Sequence, residues 1–537
     1  MESIAAPAWC RWRRGSSGVL VIAPHGGRRE PTPLVGRLPS GARLGARPRK
    51  VNDLHTVDVA EELAGALDAA LIANPTLDRN HLDLNRITQV TGRAPWFLTL
   101  IETLLDEILA RHARCQVLVV HGWNVIQAKC DIGIGTTLAA PASALEHAGV
   151  LTTSPRYAVE HLGRLQELCA AAGIAVAFGE RYPAGHPNNL LQLFRPAACP
   201  SAPPRLQAWT AERRIEAVQL ELGVPLRWPG AHRRTFLRAA AAVFDGGANG
   251  HASLGGTAQP TRAAGLPATS AVAVSLAPAS LQLYDPRAEV GLTARLDVSE
   301  AAIAGRVLLF LGAQRVALFL GEDAQGRMHA ASEQPRFIPT ADGFELRFTG
   351  PALASDDGAL YVDLEQAFAA SQLCSVAVEL RFRRGLSAHY GPTTGWVEVD
   401  GVRREIAAPG FSRHGILQRS GGRWSSQITL SAGFGAQRAV RVRHEFPGRG
   451  GVLHELTGGG EREGAVSPLA VRFRGDRHTP EQIIVGDGWL VCEPLGRMAI
   501  TRPLPPDRQV RVTFGTARFT RAGAQGFGFY EYARVLD

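Results

Sequence analysis

Near its midpoint the sequence changes hydrophobic period, so two different architectures must follow one another along the chain. Up to residue 245, short apolar runs alternate with helical patterns. Residues 18–23 (GVLVIA), 116–120 (QVLVV), 174–178 and 215–222 read as buried strands. Residues 53–70, 95–111, 156–172 and 231–244 read as helices. In the first of these Leu54, Val57, Val59, Leu63 and Leu67 recur at roughly helical spacing, with Asp53 in the N-cap place. Strands alternating with helices predict an α/β fold with a mainly parallel sheet covered on both faces. Ligands of such sheets bind beyond the carboxyl ends of the strands, where His25 and His121 both sit.

Residues 245–270 are rich in Gly, Ala, Thr and Pro, lack periodicity and read as a linker. Beyond residue 275 short β-like runs follow one another, separated by turn signals such as Asp342-Gly343 and Asp400-Gly401, which predicts an all-β sandwich or barrel. The organisation expected is therefore an α/β domain over 1–245, a linker over 246–274 and an all-β domain over 275–537.

The length of 537 residues fits this multidomain division, and 45% hydrophobic with 20% charged residues is globular, excluding a mostly disordered or collagen-like chain. No apolar run reaches the roughly 18 residues of a membrane-spanning helix, so no membrane span is expected. The net charge is +9, yet Lys50 and Lys129 are the only lysines, so nearly all the positive charge is arginine, a bias typical of GC-rich bacterial genomes. Arg11–Arg14, with Trp12 interleaved, is a dense basic cluster. No nucleic-acid motif accompanies it, so a solvated surface is expected rather than a nucleic-acid partner. Seven scattered cysteines without a CxxC pair argue against a disulfide framework or a four-cysteine zinc site. The N-terminus lacks a continuous apolar core for a secretory signal, which leaves a cytoplasmic location as the expectation.

Four places in the first half carry chemistry. Pro24-His25-Gly26-Gly27-Arg28-Arg29-Glu30 sets an imidazole at a strand end with a carboxylate five residues on, donor types that suit zinc. His121-Gly122 repeats the strand-end histidine. Asp78-Arg79-Asn80-His81-Leu82-Asp83-Leu84-Asn85-Arg86 contains an Asn-Arg pair suited to holding a carboxylate. Glu221 is a charge inside the apolar run 215–222; burial either pairs it with a cation or raises its pKa toward that of a general base.

Six segments, 19–27 (VLVIAPHGG), 78–86, 117–124 (VLVVHGWN), 131–137 (DIGIGTT), 181–194 (RYPAGHPNNLLQLF) and 215–227 (IEAVQLELGVPLR), together resemble the N-formylglutamate amidohydrolase family and its zinc-carboxypeptidase-like relatives. The resemblance spans residues 17–245 and implies a phosphorylase/hydrolase-like α/β fold. It also implies a zinc-dependent hydrolase for an amide next to a carboxylate-bearing group. Carried over by position, His25, Glu30 and His121 become zinc ligands and Glu221 the general base. Arg86, assisted by Asn85, becomes the carboxylate clamp, and Arg79 an oxyanion stabiliser. Classical zinc carboxypeptidases space the first two ligands as HxxE, whereas Glu30 follows His25 by five residues; related polyglutamate hydrolases use an HGG-type motif with a later Glu.

In the second half, residues 395–401 (GWVEVDG), 409–415 (PGFSRHG) and 526–532 (GFGFYEY) resemble lipocalin-like proteins of the AttH and hydroxyneurosporene-hydratase type. That resemblance implies two calycin-like β-barrel halves enclosing an apolar pocket for a hydrophobic ligand. Residues 412–415 depart from the acidic motif of that family, which favours a structural or ligand-binding module over hydratase chemistry. The main alternative for the whole chain is a non-catalytic binding protein with a degenerate hydrolase half.

Overall fold

The computed structural model describes residues 6–27, 50–196, 199–245, 278–299, 302–324 and 334–536, apart from 386, 388, 415–425, 435–437, 447–448, 458–459, 467–468, 474–479, 487 and 505–507. Glu30 and the expected linker 246–274 lie outside the described residues. The chain divides into two compact units, one over 1–40 and 49–270, the other over 41–48 and 271–537.

The first unit holds a seven-stranded sheet. Its strands are β1 (Arg11–Arg13), β2 (Val19–Ala23), β3 (Ala70–Ala73), β4 (Cys115–Gly122), β5 (Lys129–Gly133), β6 (Ala175–Ala177) and β7 (Ile215–Leu222), in the order β1-β3-β2-β4-β7-β5-β6. The four central strands β3, β2, β4 and β7 are parallel. β1 runs antiparallel to β3 at one border; on the other side β5 runs antiparallel to β7, and the border strand β6 runs parallel to β5.

Side chains alternate across each strand, so every central strand feeds two cores. Val19, Val21, Leu118, Val120, Val218 and Leu220 pack with Val59 and Leu63 of the helix Thr56–Ala66 and with Phe236 and Ala240 of the helix Ala231–Phe244. Leu20, Ile22, Val117, Val119, Ile215 and Ala217 pack on the other face with Phe97, Ile101 and Leu105 of the helix Pro95–Leu109. Burial on both faces is why these strands read as unbroken apolar runs. The polar residues His121, Gln219 and Glu221 continue the second set, two residues at a time, past the end of the apolar layer.

The second unit is built mainly of antiparallel strands, with a 3-10 turn, Gly358–Val362, and one short α-helix, Leu364–Ala370, among the described residues. One sheet contains β8 (Ala279–Asp285), β9 (Val290–Val298), β10 (Ala302–Leu311), β11 (Arg315–Ala324), β12 (Arg336–Thr340), β13 (Gly343–Ser355), β14 (Gln372–Arg383), β15 (Tyr390–Val399) and β16 (Val402–His414). Its order is β11-β10-β9-β8-β16-β15-β14-β13-β12, and β11 also pairs with β13. Val316, Ala317 and Leu318 lie opposite Ser355, Ala354 and Leu353, which closes β8–β11 and β13–β16 into a ring with β12 outside it. The turn between β15 and β16 places Asp400 and Gly401 at φ 50° and 79°, the left-handed conformations that an Asp-Gly hairpin supplies. A second antiparallel sheet runs from Ser426 to Leu536, and the segment 526–532 lies in its last strand, Ala524–Leu536.

Candidate metal centre and active site

The carboxyl ends of β2, β4 and β7 bring the chemistry together. His25 follows β2 by two residues and is completely buried. Gly26 and Gly27 follow it because there is no room for side chains. A Cβ on Gly26 would come within 2.2 Å of a Val57 methyl, and one on Gly27 within 2.1 Å of the Thr76 backbone. These glycines serve the packing of the loop against its neighbours.

His121 lies inside β4, one residue before its end, and is also buried. The two imidazole rings are 4.7 Å apart between centroids. Between them stands the carboxylate of Asp53, whose Oδ2 is 3.2 Å from His25 Nδ1 and 3.0 Å from His121 Nδ1. One donor atom from each of His25, Asp53 and His121 lies within 4.8 Å of the others. Ligands about 2.0–2.2 Å from one tetrahedral zinc ion are about 3.3–3.6 Å apart, so side-chain movements of about an ångström bring this set onto an ion. His121 Nε2 is buried without a hydrogen-bond partner, as expected of a nitrogen kept for a ligand. His25 Nε2 is held at 2.6 Å by Asp83 Oδ1, the carboxylate support that metal-bound histidines commonly have on their second nitrogen.

Asp53 does not cap the helix that follows it. The helix starts at Thr56, its N-cap place is taken by His55 at φ 63°, and no side chain caps it. The Asp53 carboxylate turns instead to His25, His121 and the Arg79 guanidinium, whose Nη1 is 2.9 Å from Oδ1. Burial opposes ionisation of Asp53, but Arg79 and the hydrogen bonds from His121 and His25 outweigh it and hold the carboxyl well below its usual range. Asp83 is held low in the same way: burial is overcome by His25, Arg79 and Arg86.

Glu221 lies directly opposite His121 on the neighbouring parallel strand and opposite Asp131 on β5. Burial pushes its carboxyl up to about 7, with the neighbouring His121 pulling down and Asp53 pushing up. Gln219, two residues earlier on the same face, donates to Glu221 Oε1 at 2.8 Å and accepts from Asn189 at 3.1 Å. The Asp131 carboxylate accepts the backbone N–H groups of Glu180, Arg181 and Tyr182, tying segment 131–137 to segment 181–194.

The remaining residues singled out in the sequence lie around Asp83. Arg79 Nη2 is 3.8 Å, Arg86 Nε 3.5 Å and Lys50 Nζ 3.6 Å from Asp83 Oδ2. Arg86 is about one-third exposed, whereas the Arg79 side chain is mostly covered and its Nε is buried without a partner. Asn85 is buried and presents an unpartnered Oδ1, an acceptor. Donation to a carboxylate would come from its Nδ2 group.

Asp53, Asp83 and Lys50 were not singled out as site residues in the sequence. Asp53 carried the usual signal of a helix cap, and Asp83 is distinguished only by a contact with a residue 58 positions earlier. The basic pair Arg11 and Arg14 is engaged at the surface with Glu61 and Glu107. No helix among the described residues is long and apolar enough to cross a membrane.

No family model matches the chain, and no curated protein matches it. Among solved structures it is similar to N-formylglutamate amidohydrolase from Ralstonia eutropha, at 15% identity and a TM-score of 0.28 over 44% of this chain and 96% of that one. It is similar to a gene product of Agrobacterium tumefaciens at 12% identity and a TM-score of 0.29, over 44% of this chain and 92% of that one. It is also similar to kievitone hydratase from Nectria haematococca, at 8% identity and a TM-score of 0.29, over 48% of this chain and 88% of that one.

Proposed function

We propose that residues 1–245 form a zinc-dependent amidohydrolase of phosphorylase/hydrolase-like fold, cleaving an amide next to a carboxylate-bearing group such as an N-acyl or γ-glutamyl amino acid. The observation that carries this reading is the convergence of two buried imidazoles and the Asp53 carboxylate beside Glu221. His25, His121 and Asp53 would hold the ion, with Glu30 a further candidate from the sequence. A bound zinc ion supplies Lewis-acid chemistry, acidifying water and polarising a carbonyl.

The chain's own residues supply the rest. Glu221, with a carboxyl near neutrality, takes the proton of the attacking water and passes it to the leaving amine nitrogen. The unpartnered Nε–H of Arg79 donates to the oxyanion of the tetrahedral intermediate. Arg86, the more exposed cation beside Asp83, holds the substrate carboxylate with Asn85 assisting. The β unit serves as a calycin-like module for a hydrophobic ligand, the closed ring of β8–β11 and β13–β16 being the observation in its favour. All seven cysteines carry free thiols, in keeping with work in a reducing cytoplasm.

The test is metal analysis followed by a screen of N-acyl amino acids and γ-glutamyl peptides on zinc-loaded protein. About one zinc per chain with chelator-sensitive hydrolysis supports the reading. Stoichiometric ligand binding without metal or turnover supports the non-catalytic binding protein instead.

A further inference from the structure

Arg227 is a completely buried cation that the mechanism above does not use. Its Nε donates to the Leu222 carbonyl at 2.9 Å and its Nη1 to the Leu54 carbonyl at 2.7 Å. Its Nη2 donates to the Trp123 carbonyl and to Asn124 Oδ1, both at 3.0 Å. All four acceptors are neutral. A buried guanidinium is ordinarily matched by a carboxylate, because an unpaired charge is costly to desolvate. Burial pulls its pKa down to about 10, so it stays charged at neutral pH.

The three carbonyls share one property. Leu54 follows Asp53, Leu222 follows Glu221, and Trp123 stands two residues after His121. One planar fork therefore bonds the backbone just after each of three site residues, which come from three separate segments. Gly122 fits the same arrangement: a Cβ there would come within 2.5 Å of Arg227 Nη1. The glycine after His121 thus makes room for the guanidinium. Arg227 is itself braced, since Arg233 donates to its carbonyl at 2.9 Å and pairs with Glu62 on the helix Thr56–Ala66.

We propose that Arg227 is a positioning residue that sets the mutual placement of Asp53, His121 and Glu221, so that the chain presents a preformed metal site. The proposal rests on the zinc reading for its consequence, but its geometric content concerns the metal-free protein too. Lysine cannot replace it. Three donors on a single nitrogen at the end of a flexible stem do not reproduce a planar fork directed at three carbonyls.

The test compares wild type, Arg227→Lys, Gly122→Ala and a control, Glu216→Gln. Glu216 lies near the amino end of β7, where it accepts from Ser154 away from the site. Metal-free proteins are titrated with Zn2+ and with Co2+, whose visible absorption reports ligand geometry, and crystal structures of the metal-free forms are determined. Arg227→Lys and Gly122→Ala are expected to lose about 10–100-fold in Zn2+ affinity, the usual effect of losing an outer support, and to change the Co2+ spectrum. They should also separate Asp53 from His121 in the crystal. Glu216→Gln should keep affinity, spectrum and contact even if it melts earlier. Native affinity, spectrum and geometry in Arg227→Lys overturn the positioning role; if that variant does not fold, the same result in Gly122→Ala does so. If wild type itself binds neither metal, the zinc reading fails, and the Asp53–His121 contact in the variant crystals decides the positioning role alone.

Discussion

His121 and Glu221 are direct Cα partners on the parallel strands β4 and β7, each one residue from the end of its strand. The sheet's own register thus fixes the spacing between a candidate ligand and a candidate base. Replacing Glu221 by Gln keeps size and the Gln219 contact region but removes the proton acceptor. We expect Glu221→Gln to retain zinc and lose about 10²–10⁴-fold in kcat. Steady-state kinetics at matched zinc content check this, and full activity in the variant would place the base elsewhere.

Asp53 should matter more for the metal than any helix cap would. Asp53→Asn removes the anionic oxygen that faces both imidazoles while retaining the side chain's shape. Zinc affinity should fall at least about tenfold. Equilibrium dialysis against Zn2+ measures it, and unchanged affinity would remove Asp53 from the ligand set and return attention to Glu30.

The metal-free protein should show a characteristic dependence of stability on pH. The folded state raises the Glu221 carboxyl from 4.5 to about 7, so its charged form is the costly one. The cost is fully present above pH 7, shrinks as the pH falls and is gone below about 4.5, a difference of roughly 3 kcal/mol. Asp53 and Asp83 act in the opposite sense: the stability they lend is present above about 3.8 and is lost as the pH falls further. Denaturant titrations of wild type and Glu221→Gln isolate the first effect. Wild type should gain relative to the variant between about pH 8 and 4.5, and parallel curves would contradict the assignment.

Arg86 should discriminate among substrates. With a confirmed substrate in hand, Arg86→Ala should raise KM for acids by about 10-fold or more and hardly change it for amidated analogues, because a charge-assisted hydrogen bond exists only with the carboxylate. Equal losses on both would assign Arg86 to the support of Asp83, 3.5 Å away.

The strands and helices with strong periodicity were legible in the sequence. Ile215–Leu222 and Ala231–Phe244 occur where the pattern puts them. β3 was not read from the sequence: the expected helix over 53–70 ran past the break at Asp68, whose φ is 47°, and the four residues of the strand are too short a run to stand out after it. β5 (KCDIG) has too few apolar residues to stand out, yet all five are buried. The histidines and Glu221 were visible because each interrupts or ends an apolar run. Asp53, Asp83 and Arg227 were not, since an aspartate before a helix and an arginine after a strand have ordinary local explanations. Their roles come largely from partners distant in sequence, up to 173 residues away, which no local pattern encodes.

Closure of the β ring also affects how this part of the chain meets other proteins. A sheet border is a row of free backbone donors and acceptors, ready to template a foreign strand. With β11 joined to β13, the ring leaves only β12 as a terminal strand among the described residues, and β12 carries Pro339, which interrupts the row of donors. The second sheet ends at one side in Gly460–Val466, where the exposed Arg462 and Glu463 set charges along the border. At these two borders recruitment of a neighbouring molecule by strand addition is disfavoured, so a chain this rich in β-structure is protected there from edge-to-edge aggregation.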